Sequence, residues 1–188
     1  MTHTQEYFSR LKGLMDQVDD AQVDQFVDLL NEAWQADRRV LFMGNGGSSA
    51  TVSHMVNDFQ KCMHLECGKP MRTICLSDCT PLLMSWANDT EYANIFKPQV
   101  ECWAEPGDLV IGVSGSGNSE NVIRGIIRAN ELGANTFGLA GYDGGRLSTL
   151  AKHCIVIDSF SMQQVEDMHM ILLHIAFCAV RDRNLIAT

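Results

Sequence analysis

The apolar residues near the start of the chain recur at helical spacing. Val23, Phe26, Val27, Leu30 and Trp34 fall on one face when successive residues are placed about 100° apart. This pattern predicts one or two amphipathic helices within residues 1–36, ahead of any strand.

From residue 37 onward, short apolar runs alternate with helical patterns. The runs lack alternating polar residues, which is typical of strands that are buried on both faces of a parallel sheet. The predicted strands are 39–43, 73–76, 109–113, 136–140 and 154–157. The predicted helices are about 49–62, 80–103 with a break at Asn88 and Asp89, 119–132, 146–151 and 163–183. We therefore expect an α/β fold in which a doubly wound, five-stranded parallel sheet is flanked by helices.

The length of the chain predicts a single domain. At 188 residues it falls within the usual size of one domain. We expect residues 37–188 to form the α/β core and residues 1–36 to form an N-terminal helical extension.

Composition and charge exclude several classes of protein. The chain has 14 Lys and Arg against 23 Asp and Glu, and a net charge of −9 would repel a phosphate backbone, so we expect no direct contact with nucleic acid. No apolar run approaches the roughly 20 residues that span a bilayer, and the N-terminal residues are polar. The expectation is a cytoplasmic protein without membrane contact, whose seven cysteines are reduced thiols.

Two loops rich in glycine and serine follow predicted strands. The first reads Gly44-Asn45-Gly46-Gly47-Ser48-Ser49 and the second reads Ser114-Gly115-Ser116-Gly117-Asn118-Ser119, and each leads into a helix. Glycines admit a ligand close to the backbone, and a helix N-terminus carries about half a positive charge. Because ligands of a doubly wound sheet bind beyond the carboxyl ends of its strands, the two loops predict an anion pocket.

The amino-acid sequences of both loops argue against a nucleotide-binding site. No GxxxxGK[ST] motif occurs, and the last glycine of GxGxxG is replaced by Ser49 in one loop and by Glu120 in the other. A serine-rich loop without lysine suits a small phosphomonoester better than a triphosphate. We therefore expect a small phosphorylated substrate and no nucleotide cofactor.

Polar residues on two predicted helices are candidates for chemistry. His54 and Asp58 are four residues apart and share a helix face. On the last helix, Glu166 and His174 share a face but lie about 12 Å apart along the axis. His169 points about 140° away from His174, so at most one of the two histidines faces a given site.

Four motifs together carry a resemblance to a known family. They are GNGGS after the first strand, SGSGNS after the third, GYDGG after the fourth, and VEDMHMILLH on the last helix. With these motifs the chain resembles the sugar isomerase (SIS) family and, within it, the phosphoheptose isomerases. The resemblance covers nearly the whole chain. It implies an aldose–ketose isomerase that converts sedoheptulose 7-phosphate to D-glycero-D-manno-heptose 7-phosphate, working as a homotetramer.

The resemblance also implies roles for particular residues. Asp58 and His174 become the catalytic acid/base pair, and His54, Asp58, Glu166 and His174 become ligands of zinc or another divalent metal. The implied substrate contacts are Asn45, Gly46, Gly47, Ser48, Asn88, Asp89, Ser114, Gly115, Ser116, Ser119 and Glu166.

Several positions depart from the family pattern. The catalytic carboxylate is Asp58 where the family has glutamate, and Glu166 stands where the family has glutamine. A threonine of the second loop is Gly115, an arginine is Cys62, and an aspartate is Gln163. Each change falls at a position that faces substrate in the family, so the departures bear on which sugar is bound.

Two non-catalytic functions compete with the isomerase. One SIS relative is an adaptor that binds the bacterial replication initiator protein, and its turn is like the GYDGG turn here. That adaptor lacks the catalytic histidine, whereas this chain keeps His174 together with His54 and a carboxylate. The third candidate is a sensor that binds a sugar phosphate without converting it.

Overall fold

A parallel sheet of five strands forms the centre of the molecule in the computed structural model, which describes residues 1–186. The strands lie in the order β2-β1-β3-β4-β5, and every neighbouring pair is parallel. Their bounds are Arg39–Gly44 (β1), Arg72–Cys75 (β2), Leu109–Ser114 (β3), Asn135–Gly141 (β4) and His153–Ile157 (β5). Each bound lies within one residue of its prediction, and the predicted fold class is confirmed.

Helices cover both faces of this sheet. They are α1 (His3–Met15), α2 (Asp20–Gln35), α3 (Gly46–Asn57), α4 (Met63–Cys67), α5 (Thr80–Asp89), α6 (Lys97–Trp103), α7 (Glu120–Glu131), α8 (Leu147–Leu150) and α9 (Met162–Arg183). The helix expected over 80–103 is two helices, α5 and α6, separated by a short 3-10 turn at Tyr92–Asn94. Within residues 1–186, no helix combines the length and apolar character that crossing a bilayer requires.

The helix expected over 49–62 differs from its prediction at both ends. It begins three residues earlier, at Gly46, because the glycines of the first loop themselves form the first turn of α3. At its other end α3 runs into a π-helical turn, Asp58–Cys62, and then into α4. Phe59 and Met63 are fully buried in this stretch, so side-chain packing holds the chain helical beyond the predicted end.

Two hydrophobic clusters lie on opposite faces of the sheet. Residues of β3 alternate between them, with Ile111 in the cluster that includes α2, α3 and α9 and Val110 in the cluster that includes α6 and α7. Helix α2 packs directly on the sheet, where Phe26 stacks on Phe137 of β4 with 4.2 Å between the ring centroids. The predicted N-terminal helices therefore share a core with the sheet.

The strand order places the crevice for a ligand beside β1 and β3. From β1 the chain moves outward to β2, and from β3 it moves the other way, to β4 and β5. Loops after adjacent strands that lead in opposite directions open a crevice between them. The two loops that follow β1 and β3 are the glycine- and serine-rich loops singled out in the sequence.

Candidate active site

The first loop is shaped to bring backbone amides close to a carboxylate. Gly46 has a φ of +52°, a backbone conformation that residues other than glycine rarely adopt. A Cβ atom added at Gly47 would overlap Glu166 Oε1 and lie 2.7 Å from Oε2. The carboxylate of Glu166 therefore lies against the first turn of α3, where the helix dipole favours negative charge.

The second loop presents serine hydroxyls at the N-terminus of α7. Ser114 Oγ donates to Ser119 Oγ across the loop at 3.0 Å, and Ser116 Oγ accepts a bond from the Asn118 amide at 3.2 Å. Ser119 is the N-cap residue of α7, yet its side chain makes no hydrogen bond to the helix. Hydroxyls and helix amides at this end can donate to an anionic oxygen.

The turn after β4, at Tyr142–Gly145, and the residues on either side of it hold the second loop in place. The amide of Gly141 donates to Gly115 O at 3.0 Å, and the amide of Leu147 donates to Gly117 O at 2.9 Å. The Arg146 amide also donates to Asn118 Oδ1 at 3.1 Å. Glycines in both motifs were a signal of this close approach.

Two imidazoles and a carboxylate converge at the end of α3. His54 Nε2 and His174 Nε2 are 3.0 Å apart, and Asp58 Oδ2 lies 3.4 Å from the first and 3.7 Å from the second. Asp58 begins the π-helical turn, and such turns are frequent at functional sites. The predicted pair Asp58 and His174 is thus brought together from two helices that are far apart in sequence.

The triangle formed by these three atoms fits a divalent metal. Ligands held about 2.0–2.1 Å from a tetrahedral zinc ion are roughly 3.3 Å from one another, close to the three separations above. His54, Asp58 and His174 are the metal-ligand group found among residues 1–186, and Glu166 is not part of it. Its carboxylate lies at Gly47 instead, so the fourth predicted ligand stays a prediction.

Two further predicted contacts lie at the C-terminal end of α5. Asn88 and Asp89 are exposed at the end of that helix, where Asn88 Nδ2 donates to Asp89 Oδ1 at 2.8 Å. Three residues later, Tyr92 donates through its hydroxyl to Asn45 Oδ1 at 2.8 Å. The hydroxyl of Tyr92, which the sequence analysis did not single out, thus ties this segment to the first loop.

One departure from the family pattern has a local explanation. A Cβ atom at Gly115 would overlap the sulfur atom of Met162, the first residue of α9. The side chain of Met162 therefore occupies the space next to the second loop that a threonine at position 115 would need. Nothing in the structure explains the replacement of the family arginine by Cys62.

His169 is a core residue rather than a member of the site. Its side chain is buried, and Nε2 donates to the carbonyl oxygen of Ala140 in β4 at 3.1 Å. Among residues 1–186, its Nδ1 has no hydrogen-bond partner. Burial disfavours the imidazolium ion and lowers the pKa of His169 from 6.5 to about 4, although the bond to Ala140 acts in the opposite direction.

This buried imidazole predicts a loss of stability in acid. Below pH 6.5 the unfolded chain binds a proton that the folded chain binds only near pH 4, so the free energy of unfolding falls across that interval. Between pH 7 and pH 5 the contribution is about 2 kcal/mol. Urea unfolding at both pH values should show a smaller decrease in His169→Gln, which keeps a donor for Ala140. An equal decrease in both proteins would exclude His169 as the source.

Comparison with known proteins identifies what the chain is similar to. The SIS domain family model matches residues 6–141. The chain is 34% identical to the phosphoheptose isomerase of Syntrophotalea carbinolica over 184 residues, covering 96% of this chain and 93% of that protein. It is also 34% identical to the phosphoheptose isomerase of Aquifex aeolicus over 154 residues, which are 82% of this chain and 80% of that protein.

A solved structure agrees with the fold. The phosphoheptose isomerase of Neisseria gonorrhoeae superposes with a TM-score of 0.87 at 24% identity, covering 95% of this chain and 97% of that one. At this identity the likeness shows the shared architecture of sheet and helices.

Proposed function

Since the chain belongs to the SIS domain family and is a sugar-phosphate isomerase of the phosphoheptose isomerase type, we propose that it interconverts sedoheptulose 7-phosphate and D-glycero-D-manno-heptose 7-phosphate. The observation that carries this proposal is the meeting of Asp58, His174 and His54 within 3.7 Å of one another. General acids and bases next to an anion pocket are what a sugar-phosphate isomerase requires.

The second loop is the proposed phosphate site. Ser114, Ser116 and Ser119 lie at the N-terminus of α7, and the turn after β4 fixes their backbone. At the first loop, the carboxylate of Glu166 from α9 lies against the start of α3 and would repel a phosphate group. The sugar hydroxyls are therefore assigned to the first loop, to Glu166 and to the segment with Asn88 and Asp89.

The reaction moves one proton between adjacent carbons. A base takes the proton from C1 of the ketose, the C2 oxygen gains a proton, and an enediol forms. A proton is then returned to C2 while the C1 hydroxyl loses its own proton, which gives the aldose. Asp58 Oδ2 and His174 Nε2 are 3.7 Å apart, which lets one act at the carbons and the other at the oxygens of a bound substrate.

We also propose a divalent metal, with zinc as the first candidate, on His54, Asp58 and His174 and with Glu166 as the fourth ligand. Two imidazoles with carboxylate oxygens form a donor set that suits zinc. When bound there, such an ion would polarise the substrate oxygens as a Lewis acid, and this role would replace proton transfer by His174 Nε2, because the ion would occupy the lone pair of that nitrogen. Glu166 would have to turn from α3 toward the triangle to join it.

We propose that the chain forms the homotetramer implied by the resemblance; apolar surface beside the site supports a contact between chains. Ile175, next to His174, is 46% exposed, and a groove of about 320 Å³ runs from it along α9 to the elbow between α1 and α2. Met15 and Val18 line the far end of that groove. Exposed apolar surface of this kind is typical of a contact between protein chains.

Turnover of sedoheptulose 7-phosphate tests both proposals. The purified protein is assayed as isolated, after chelation, and with zinc restored at one equivalent. We expect activity as isolated, loss of most of it on chelation, and recovery with zinc. Activity that survives complete removal of metal would contradict the metal proposal alone. Binding of the sugar phosphate without turnover in any condition would contradict the isomerase and favour the sensor.

A further inference from the structure

Asn45 and Asn121 join the first loop to the helix that follows the second. Asn45 Nδ2 donates to Asn121 Oδ1 at 2.9 Å, and Asn121 Nδ2 donates to Asn45 Oδ1 at 2.9 Å. Asn45 is the N-cap residue of α3, a position from which asparagine usually bonds its own helix, yet its side chain makes no such bond. The side-chain amide of Asn45 bonds instead to Asn121 of α7 and to Tyr92.

The orientation of the Asn121 side-chain amide is fixed by a backbone N–H group, which can only donate a hydrogen bond. The backbone amide of Val122 donates to Asn121 Oδ1 at 2.9 Å, which fixes the oxygen and leaves Nδ2 to face Asn45. Asn121 is 2% exposed, so water does not compete for these bonds. A buried amide whose oxygen and nitrogen atoms both have partners holds its partner in one geometry.

A second connection runs from the same helix to the segment that carries Tyr92. Arg124, three residues after Asn121, donates to Asn94 Oδ1 at 2.8 Å and binds Glu91. Tyr92 lies between those two residues, and its hydroxyl reaches Asn45 Oδ1 at 2.8 Å although its ring is largely exposed. The first two turns of α7 therefore hold both the first loop and the segment beside it.

We propose that Asn121 is a positioning residue that couples the two substrate loops, an inference that rests on the proposed function. The phosphate would sit at the N-terminus of α7, and Asn121 is the second residue of that helix. Binding energy gained at the phosphate then maintains the geometry of the first loop, where the sugar hydroxyls lie. Remote binding energy that orients the reacting end of a substrate raises kcat rather than affinity alone.

The variant Asn121→Ala separates this role from a general loss of stability. We expect kcat to fall by about 10- to 100-fold while KM changes by less than about threefold, because the phosphate loop itself is untouched. The matched control is Asn130→Ala, which also removes a side chain with two hydrogen bonds from α7, to Leu150 O and from Thr136, but at the far end of the helix. It should lower stability and leave kcat unchanged.

A double-mutant cycle tests the coupling itself. Asn45→Ala should lower kcat on its own, and adding Asn121→Ala should then lower it by less than twofold further. If the two losses multiply, the residues act independently and the proposal is overturned. Tyr92→Phe removes only the hydrogen bond from Tyr92 to Asn45. Because Tyr92 is exposed, this variant should fold even if Asn121→Ala does not, and we expect its kcat to be lower than that of the wild type.

Hydrogen exchange keeps the inference testable without the proposed substrate. In Asn121→Ala the amides of residues 49–52, which begin with the bond from the Ser49 amide to Asn45 O, should exchange at least tenfold faster than in Asn130→Ala. Equal exchange in the two variants would overturn the proposal, even if the wild-type protein converts sedoheptulose 7-phosphate. Absence of wild-type turnover combined with faster exchange would contradict the proposed function and retain the coupling between the loops.

Discussion

His174→Ala is expected to lower turnover of sedoheptulose 7-phosphate by about 10²- to 10⁴-fold, the usual loss when a general acid or base is removed. The ring of His174 lies 3.0 Å from His54 and 3.7 Å from Asp58, so its removal takes one corner from the triangle. Because 45% of the side chain is exposed, the substitution leaves no cavity and the fold should persist. Steady-state kinetics with a thermal melt of the same sample measure both effects.

Asp58→Asn tests the carboxylate without changing its shape. The variant keeps the volume of the side chain but loses its charge, and we expect a loss of the same order as in His174→Ala. His64→Ala is the matched control, because His64 is an exposed histidine of α4, just beyond the π-helical turn that Asp58 begins. Normal kcat in either His174→Ala or Asp58→Asn would refute the assignment of that residue to the catalytic pair.

The second large effect is expected from Gly117→Ala in the second loop. Gly117 has a φ of +65°, and a Cβ atom there would overlap the carbonyl oxygen of Gly144 in the turn after β4. The overlap is with backbone on both sides, so the loop or the turn must move. Since the hydroxyls of Ser116 and Ser119 are fixed by this backbone, we expect kcat/KM to fall at least 100-fold.

Gly133→Ala distinguishes this effect from backbone strain alone. Gly133 has a φ of +79°, but a Cβ atom there would meet Pro106 at an ordinary 3.6 Å, at the other end of α7. Both substitutions impose a left-handed conformation on alanine, which costs about 1–2 kcal/mol. The control should therefore lose stability and keep kcat/KM. If Gly117→Ala also keeps kcat/KM, the second loop does not position the phosphate.

The elements of the fold could be predicted where burial is one-sided or complete. Apolar runs such as Val110 and Ile111 predicted β3 because both faces of a parallel sheet are covered. The bounds of helices were less accurate where side-chain packing overrides local signals. Glycine at 46 indicates a loop by its own preference, yet it begins α3, and burial of Met63 continues the helix beyond the predicted end at residue 62.

Contacts between residues close in sequence could be predicted, whereas contacts between distant residues were harder to predict. His54 and Asp58 share a face through helical spacing, which a sequence displays directly. The pair formed by Asn45 and Asn121, by contrast, joins residues 76 positions apart. The sequence offered no signal for it beyond one polar residue within the first glycine- and serine-rich loop and another shortly after the second.

The sequence by itself determined the parallel sheet, the two loops at its carboxyl edge and the family to which the chain belongs. Those features depend on periodicity, on glycine at positions of special geometry, and on contiguous motifs. The family resemblance already grouped His174 with His54 and Asp58. Only the tertiary structure decided the distances between them, the position of Glu166 at Gly47, and the contact of the turn after β4 with the second loop. Such contacts depend on how α9 and the turn pack against distant strands, and the order of residues along a chain does not record those distances.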